Sequence, residues 1–471
     1  LTFLSFGAPM HHARVEILTP PDRPINYLHH RIDDNLARER FGDYDSWVWE
    51  YTDLDRMPEE DAMVDGMDGL RSIFISTMHD WSRVVDWYLK KTYRRTEPSY
   101  DVAAIADSVA GTGTDEQKIA AVYDYVTREV NYSHVNFLNS AYTPKEADLT
   151  LSSNVGDCKD VATLMIAMLD HVGVEAWYTL VKTKAFSHQR FLPSQLFDHV
   201  IVGVEMEGER RYMDLTTNFY PHTVVPFNDC GAWSLDVRAG EDEVFELPLD
   251  HVDPAKNLVA FDVTARLDTS RAVALDVAAT HDGLEGSWIR ESIGRMSKEE
   301  FRNMLLDVLG KGTFQDLRLV DYEIDNRMAM NEPLSSRYRL TGNRFSDRVS
   351  NLYIFRLPWM LAIRNNNAIK TAERMTALNV ASLCETAPSR QTASIIFPDG
   401  YELTELPDDI VITSKFGSYA VRYREIDGGL AATKEQSFTS TVIEPEDFED
   451  FREFYLRILD VDEARYAIIR K

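Results

Sequence analysis

Apolar residues recur at helical spacing just after residue 157, and this stretch gives the clearest helix signal in the chain. Gly156 and Asp157 precede it, and Asp157 and Asp160 have the spacing of a reciprocal capping arrangement at a helix start. Gly173 follows the last apolar position, which is typical of a helix end. The pattern therefore predicts a helix whose first turn carries Cys158. Its predicted buried face consists of Val161, Leu164, Met165, Met168 and Leu169.

A two-stranded hairpin is predicted downstream, where apolar and polar residues alternate. Residues 197–204 read as a strand with His199 near its start, and residues 207–209 supply turn chemistry. Residues 210–216 read as the returning strand, which carries Asp214. Because a short turn pairs the two strands, we expect His199 and Asp214 to lie at similar heights on neighbouring strands.

The order Cys158, His199, Asp214 supplies the three residue types that nucleophilic catalysis by cysteine requires. A thiol in the first turn of a helix faces the positive end of the helix dipole, which favours the thiolate. Lys159 acts in the same direction, whereas Asp157 acts against it. The net electrostatic effect on the thiol is therefore open at the level of the sequence.

These segments resemble the three signature pieces of the transglutaminase-like cysteine superfamily, at residues 156–160, 198–199 and 212–216. The resemblance is closest to the multidomain bacterial branch, whose members are regarded as proteases. It implies a papain-like core over about residues 100–235. It also favours hydrolysis of a peptide or protein substrate over crosslinking, and a periplasmic or extracellular location. The implied nucleophile, base and orienting acid are Cys158, His199 and Asp214, respectively.

The fold class expected from these patterns is α+β, with a papain-like transglutaminase core between two β-sandwich-like regions. Residues 1–78 are rich in predicted strands and resemble the N-terminal domain of the same bacterial proteins without its first strands. Residues 79–240 are expected to form the catalytic core, because the helix signals and the three signature segments lie there. Residues 241–471 alternate in strand fashion and are expected to form the C-terminal β-rich region.

Two further sets of residues are candidates for the chemistry around the thiol. The oxyanion of an acyl-transfer intermediate needs a side-chain donor upstream of the nucleophile. The candidates for that donor are Asn136, Asn139 and Tyr142. The loop between the nucleophile helix and the histidine strand is well placed to line a substrate cleft. The cleft candidates are Arg190 in that loop and Trp177 on the preceding strand.

Composition excludes several classes of protein. The 471 residues carry a net charge of −27, which argues against nucleic acid or an anionic membrane as the main partner. A hydrophobic content of 44% is enough for sizeable cores, and no run of about 18 apolar residues suggests a membrane span. The sequence begins at Leu1 without a signal-peptide pattern, so we expect a processed or trimmed piece.

Cysteine and metal-ligand spacings predict neither a disulfide framework nor a bound cofactor. Besides Cys158 there are only Cys230 and Cys384, which we expect to stay unpaired. The histidine pairs at residues 11–12 and 29–30 lack acidic or cysteine partners at ligand spacing, so no metal site is expected. No calcium-binding loop of the alternating aspartate type occurs.

Two functions of different classes follow. The first is a cysteine enzyme that transfers an acyl group from a peptide or amide, with water or an amine as the acceptor. The second is a catalytically silent protein that keeps the transglutaminase fold to bind a peptide or a protein. The presence of all three residue types, Cys158, His199 and Asp214, favours the enzyme.

Overall fold

The structure is a computed structural model that divides into two compact units. Unit one joins Leu1–Glu59 with Asp65–Pro248, and unit two joins Glu60–Val64 with Leu249–Lys471. The predicted boundaries at residues 78 and 240 stay a prediction. Among the described residues, no helix combines the length and apolar character that crossing a bilayer requires. The residues that the structure describes are 2–4, 8–57, 59–64, 70–133, 142–183, 191–310 and 317–470.

Unit one begins with a run of strands, as the alternating pattern predicts. Their bounds are β1 Thr2–Phe3, β2 Met10–Thr19, β3 Asn26–His30, β4 Ala37–Phe41, β5 Tyr44–Leu54 and β6 Ser72–Ser76. They form two sheets with the strand orders β2-β5-β4 and β1-β6-β3. Trp47, Trp49 and Tyr51 alternate along β5 and are buried in the core of this part. Aromatic residues at every second position therefore mark the inward face of β5.

The rest of unit one is a helical layer against a five-stranded sheet. The helices are α1 Ser82–Thr92, α2 Tyr100–Ala110, α3 Asp115–Glu129, α4 Ala147–Ser153 and α5 Cys158–His171. The strands are β7 Asn131–Tyr132, β8 Val155–Gly156, β9 Ala176–Lys182, β10 His199–Met206, β11 Glu209–Met213, β12 Trp233–Asp236 and β13 Phe245–Glu246. The sheet has the order β11-β10-β9-β12-β13, and α5 lies against β9 and β10.

Helix α5 begins where the sequence predicts and is buried more completely than expected. Asp157 caps it, and the reciprocal bonds between Asp157 and Asp160 form the predicted capping box. Every residue from Cys158 to Leu169 is buried, because α2, α3 and α4 cover the side that faces away from the sheet. A helix that is apolar nearly all round needs such a position inside the unit. The N-terminus of α5 is therefore held rigidly.

Unit two is dominated by one large sheet. The strands of unit two as a whole are β14 Val259–Leu267, β15 Val273–His281, β16 Arg318–Asp325, β17 Leu334–Gly342, β18 Ser346–Val349, β19 Leu352–Phe355, β20 Leu378–Asn379, β21 Ser389–Ile396, β22 Tyr401–Leu403, β23 Ile410–Ser414, β24 Gly417–Ile426, β25 Gly429–Phe438, β26 Val442–Ile443 and β27 Tyr466–Arg470. The large sheet has the order β16-β17-β15-β14-β21-β25-β24-β23. A smaller sheet has the order β18-β19-β27-β22. The helices are α6 Gly283–Arg295, α7 Lys298–Gly310, α8 Asn367–Lys370 and α9 Phe448–Asp462.

Helix α6 is one of the elements that the sequence pattern misses. Residues 281–283 read as a turn, and the following glycine, serine and tryptophan give no helical periodicity. In the structure, Asp282 caps α6 and its first turns lie close to β15. A Cβ atom at Gly286 would lie 2.5 Å from the carbonyl oxygen of His281. The close approach of the helix therefore requires a glycine there, at the expense of helical propensity.

A buried ion pair ties α9 to the large sheet of unit two. Lys434 Nζ on β25 lies 2.9 Å from Asp462 Oδ2 at the end of α9, and both side chains are fully buried. Tyr419 donates a hydrogen bond to the other carboxylate oxygen, and the backbone N–H of Ile363 donates one to Oδ2. Burial lowers the pKa of Lys434, and the Asp462 carboxylate opposes that effect. The pair is therefore compensated only while both partners are present.

Replacing Asp462 with asparagine is expected to lower the free energy of unfolding by about 3–5 kcal/mol, because it leaves the Lys434 cation buried without an anion. Urea denaturation followed by circular dichroism measures this loss. The matched control is the double variant Lys434→Met with Asp462→Leu, which removes both charges and should lose less than the single variant. A single variant as stable as the unsubstituted protein would contradict this account of α9.

Candidate active site

Cys158 is the first residue of α5, and its surroundings are already charge-balanced. Cys158 is 4% exposed. Lys159 Nζ donates to the carboxylate of Asp157, and both side chains are buried. The cation and the anion that the sequence places beside the thiol thus compensate each other. The helix dipole and His199 remain to influence the sulfur.

His199 and Asp214 meet as the hairpin predicts. In the register of β10 and β11, Val202 pairs with Met213, so Asp214 falls beside Ile201, two residues along from His199. Alternate residues of a strand share a face, and both side chains therefore lie on the same side of the sheet. His199 Nε2 lies 3.2 Å from Asp214 Oδ2, and the two side chains are 13% and 4% exposed, respectively.

Asp214 is fixed by more than the histidine. Thr216 donates its backbone N–H to Oδ1 at 2.8 Å and its hydroxyl to Oδ2 at 3.0 Å. The Tyr123 hydroxyl donates to the Asp214 carbonyl oxygen at 2.9 Å. Burial acts to raise the pKa of Asp214, but the His199 charge and the hydrogen bonds from His199 and Thr216 bring it below its ordinary value. Asp214 is therefore an oriented carboxylate.

The Cys158 thiol lies close enough to His199 to raise the pKa of the imidazole. Its Nε2 faces Asp214, so Nδ1 is the ring nitrogen left for the sulfur. Burial acts to lower the pKa of His199, but the Asp214 charge and the hydrogen bonds to Asp214 and Cys158 together raise it well above its ordinary value. A protonated imidazole next to the thiol supplies the positive charge that a thiolate needs. The three side chains therefore lie in the order thiol, imidazole, carboxylate.

Replacing His199 with glutamine should cost stability in a pH-dependent way. The raised pKa of His199 stabilises the fold below its unfolded value of 6.5, and this contribution is lost as pH rises through the folded pKa. The lowered pKa of Asp214 stabilises above its unfolded value of 3.8, and that contribution is lost as pH falls through the folded pKa. The difference in unfolding free energy between the protein and His199→Gln should thus be largest between these two values.

Urea denaturation across the pH range measures this difference. His171→Gln is the matched control, because His171 is a partly exposed histidine at the other end of α5 that pairs with Asp107. It should show a much smaller pH-dependent difference. A His199→Gln difference that stays constant with pH would contradict the charged pair.

Two residues adjoin the site without having been predicted. Asp229 is 1% exposed, and its carboxylate, that of Asp214 and the His199 ring each place an atom within 4.8 Å of the others. Tyr132 lies on β7, which pairs with β8 immediately before the nucleophile. Burial and the nearby Cys158 raise the pKa of Tyr132. Asp229 lies in an irregular segment and Tyr132 on a two-residue strand, so neither has a periodic pattern that could have revealed it.

His199, Asp214 and Asp229 are also the group of described residues whose atom types and spacing would suit a metal ion. Metal ligation needs deprotonated carboxylates. Burial and the charge of Asp214 instead raise the pKa of Asp229 well above its ordinary value. This environment favours a protonated Asp229 that takes part in hydrogen bonding. The expectation of no metal from the sequence stays a prediction.

The remaining site candidates are distributed differently. Asn136, Asn139 and Arg190 lie outside the described residues. The Tyr142 hydroxyl donates to the Gln195 carbonyl oxygen at 2.9 Å. Trp177 is buried with the Arg238 guanidinium 4.3 Å above its ring. The partner of His199 on β9 is Val181, four residues away from Trp177, so the structure does not bring Trp177 to the thiol.

None of the three cysteines, all of which lie in the described part of the chain, forms a disulfide bond, as expected. Cys230 is buried, and its Sγ atom lies 3.7 Å from the Val225 carbonyl oxygen. Burial raises the pKa of Cys384 far above its ordinary value. Neither of these two thiols is therefore placed for catalysis.

Comparisons with known proteins bear on the fold. Residues 103–208 match the family model of the transglutaminase-like superfamily, and residues 350–468 match DUF3858, a domain of unknown function with a solved structure. The match to a "putative protease" from Parabacteroides distasonis covers 99% of this chain and 74% of that protein's chain, with 10% identity and a TM-score of 0.59. The match to a "putative cysteine protease" from Cytophaga hutchinsonii covers 52% of this chain and 78% of that protein's chain, with 16% identity and a TM-score of 0.24. No curated protein matches the sequence significantly.

These similarities confirm the predicted fold class. The chain is α+β, with a transglutaminase-like core and flanking β-rich regions. At 10% identity, the likeness to the Parabacteroides protein concerns the fold alone. The matched core segment contains Cys158 and His199, whereas Asp214 and Asp229 follow it in the sequence.

Proposed function

We propose that this chain, with its transglutaminase-like core, is a cysteine enzyme that hydrolyses amide bonds in peptide or protein substrates through Cys158, His199 and Asp214. The observation that carries the proposal is the position of His199, whose Nε2 lies 3.2 Å from the Asp214 carboxylate and whose ring lies close enough to the Cys158 thiol at the N-terminus of α5 for that thiol to raise its pKa. This arrangement is that of a nucleophile, a base and a group that orients the base.

Acylation uses the Cys158 sulfur as the nucleophile and His199 as the proton donor. The Cys158 sulfur attacks the carbonyl carbon, and the backbone N–H groups at the start of α5 face the developing oxyanion. His199 then transfers its proton to the leaving amine, which breaks the carbon–nitrogen bond and leaves a thioester on Cys158. Asp214 keeps Nε2 of the imidazole engaged, so that Nδ1 stays directed at the reacting atoms.

Deacylation returns the enzyme to its starting state. His199, now neutral, takes a proton from a water molecule that attacks the thioester carbonyl. Cleavage of the carbon–sulfur bond releases the acid product. The proton that His199 took from water is then shared between the imidazole and the Cys158 sulfur. An amine in place of water would give crosslinking instead. The resemblance to bacterial proteases is what favours water in this proposal.

Whether water or an amine accepts the acyl group is tested by incubating the protein with a mixture of unmodified peptides and a fluorescent primary amine in heavy-oxygen water. Mass spectrometry should show cleaved peptides whose new carboxyl groups carry the heavy oxygen, without incorporation of the amine. The heavy-oxygen signal should vanish in Cys158→Ala. Incorporation of the amine without cleavage would overturn hydrolysis and establish amine transfer.

The second candidate function is a catalytically silent module that binds a peptide or a protein. It is supported by one observation, the low exposure of Cys158, at 4%. A peptide vinyl-sulfone probe distinguishes the two functions, because it needs both access to the sulfur and a thiolate. Rapid labelling of Cys158 supports the enzyme, and binding of peptides without labelling supports the module. A periplasmic or extracellular location belongs to the same proposal and rests on the family resemblance.

A further inference from the structure

Asp229 is held rigidly behind the orienting carboxylate of the site. Its backbone N–H donates to the Pro226 carbonyl oxygen at 2.9 Å, and its own carbonyl oxygen accepts from the backbone N–H of Ala232 at 2.9 Å. The next strand, β12, starts at Trp233 and is paired with β9. The carboxyl group is therefore presented to Asp214 and His199 from a fixed turn, with only 1% of the residue exposed.

The charges around Asp229 do not balance if it is ionised. The Asp214 and Asp229 carboxyl groups both lie beside the His199 imidazole, which Asp214 already faces at 3.2 Å. Asp214 accepts hydrogen bonds from Thr216 and His199, whereas Asp229 Oδ2 has no conventional donor among the described residues. A buried carboxylate oxygen without a donor makes the ionised form costly, so this environment favours a protonated Asp229.

A protonated Asp229 carboxyl group can donate a hydrogen bond, and the neighbouring Asp214 carboxylate can accept it. The Asp229 and Asp214 carboxyl groups each place an oxygen within 4.8 Å of the other. Two carboxylates cannot bond to each other without a proton between them. Burial and the Asp214 charge raise the pKa of Asp229 well above its ordinary value, with Asp198 adding to the effect and His199 opposing it.

We propose that Asp229 is a positioning residue whose carboxyl group donates a hydrogen bond to Asp214, so that the chain of hydrogen bonds runs from Cys158 through His199 and Asp214 to Asp229. The donated bond fixes the rotation of the Asp214 carboxylate and leaves its negative charge for His199. This role rests on the proposed function, because it concerns the alignment of the catalytic imidazole. Asp229 itself touches no reacting atom.

The first test reads the state of His199 directly and needs no turnover. The ring C–H signals of the histidines are titrated by NMR, and His199 is assigned by its disappearance in His199→Gln. Asp229→Asn keeps a donor and removes the ability to ionise, so the His199 pKa should be unchanged. If Asp229 were an anion, removing its charge would lower the His199 pKa by about one unit or more, which would overturn the proposal.

The second test separates positioning from general stability. In Asp229→Asn, kcat for amide hydrolysis should stay within about threefold of the unsubstituted protein, because the amide can donate to Asp214. In Asp229→Ala, kcat should fall about 10- to 100-fold with KM unchanged, because the carboxylate loses its alignment. Equal losses in both variants, or no loss in Asp229→Ala, would overturn the proposal.

Asp236→Asn is the matched control for substituting another buried acid of unit one. Asp236 is 1% exposed and pairs with Arg210 at 2.9 Å. It should change neither the His199 titration nor kcat. If Asp229→Ala does not fold, the titration and the kcat of Asp229→Asn still decide the matter. If the unsubstituted protein cleaves no peptide, the proposed function fails, while the titration still supports or overturns the bond between Asp229 and Asp214.

Discussion

Replacing Cys158 with alanine is expected to lower kcat/KM for amide hydrolysis by about 10⁴-fold or more. The variant loses the atom that forms the thioester, and no other described thiol lies at the N-terminus of α5. His199 and Asp214 remain, but they have no nucleophile to activate. Cleavage of a peptide substrate, followed by mass spectrometry, measures the loss.

Cys384→Ala is the control for that experiment. Cys384 lies in unit two, and burial raises its pKa far above the ordinary value for a thiol. Its replacement should leave kcat/KM unchanged. Activity that persists in Cys158→Ala and disappears in Cys384→Ala would locate the chemistry elsewhere.

Replacing Asp214 with alanine is expected to lower kcat by about 10³- to 10⁴-fold while changing KM little. The substitution removes the hydrogen bond to His199 Nε2 and the charge that raises the His199 pKa. Both losses act on the transition state, in which the imidazole carries and delivers the proton. Peptide binding does not depend on this buried carboxylate, which is 4% exposed.

Asp214→Asn should lie between the two extremes, because an amide oxygen can still accept from Nε2 although it carries no charge. A graded order of kcat, with aspartate above asparagine and asparagine above alanine, is therefore predicted. Asp236→Ala controls for the removal of a buried acid from the same sheet. Equal activity in all three Asp214 forms would show that His199 needs no orienting group.

The parts of the site that the sequence predicts are those encoded by local patterns. The capping box at Asp157 and Asp160 fixes where α5 begins and thus where Cys158 lies. The alternation in β10 and β11 fixes the register that aligns His199 with Asp214. Each of these patterns specifies a backbone geometry within a few residues, so the geometry follows from the pattern.

The parts that the sequence misses depend on contacts between distant segments. Asp229 reaches the site from an irregular segment, and nothing near it in the chain indicates a buried acid. The contact of the Trp177 ring with Arg238 also joins distant segments, and the cleft role expected of Trp177 stays a prediction. In α6, a close approach to His281 selects Gly286 and hides the helical pattern. Such choices are dictated by tertiary packing, which periodicity does not record.

The central claim is that His199 activates Cys158, and the rate of alkylation of each cysteine tests it most directly. The protein and His199→Ala are treated with iodoacetamide at neutral pH, and the labelled cysteines are identified by mass spectrometry over time. We predict that Cys158 is labelled well ahead of Cys230 and Cys384, and that this advantage disappears in His199→Ala. Slow and equal labelling of all three cysteines, unchanged by the loss of His199, would contradict the account.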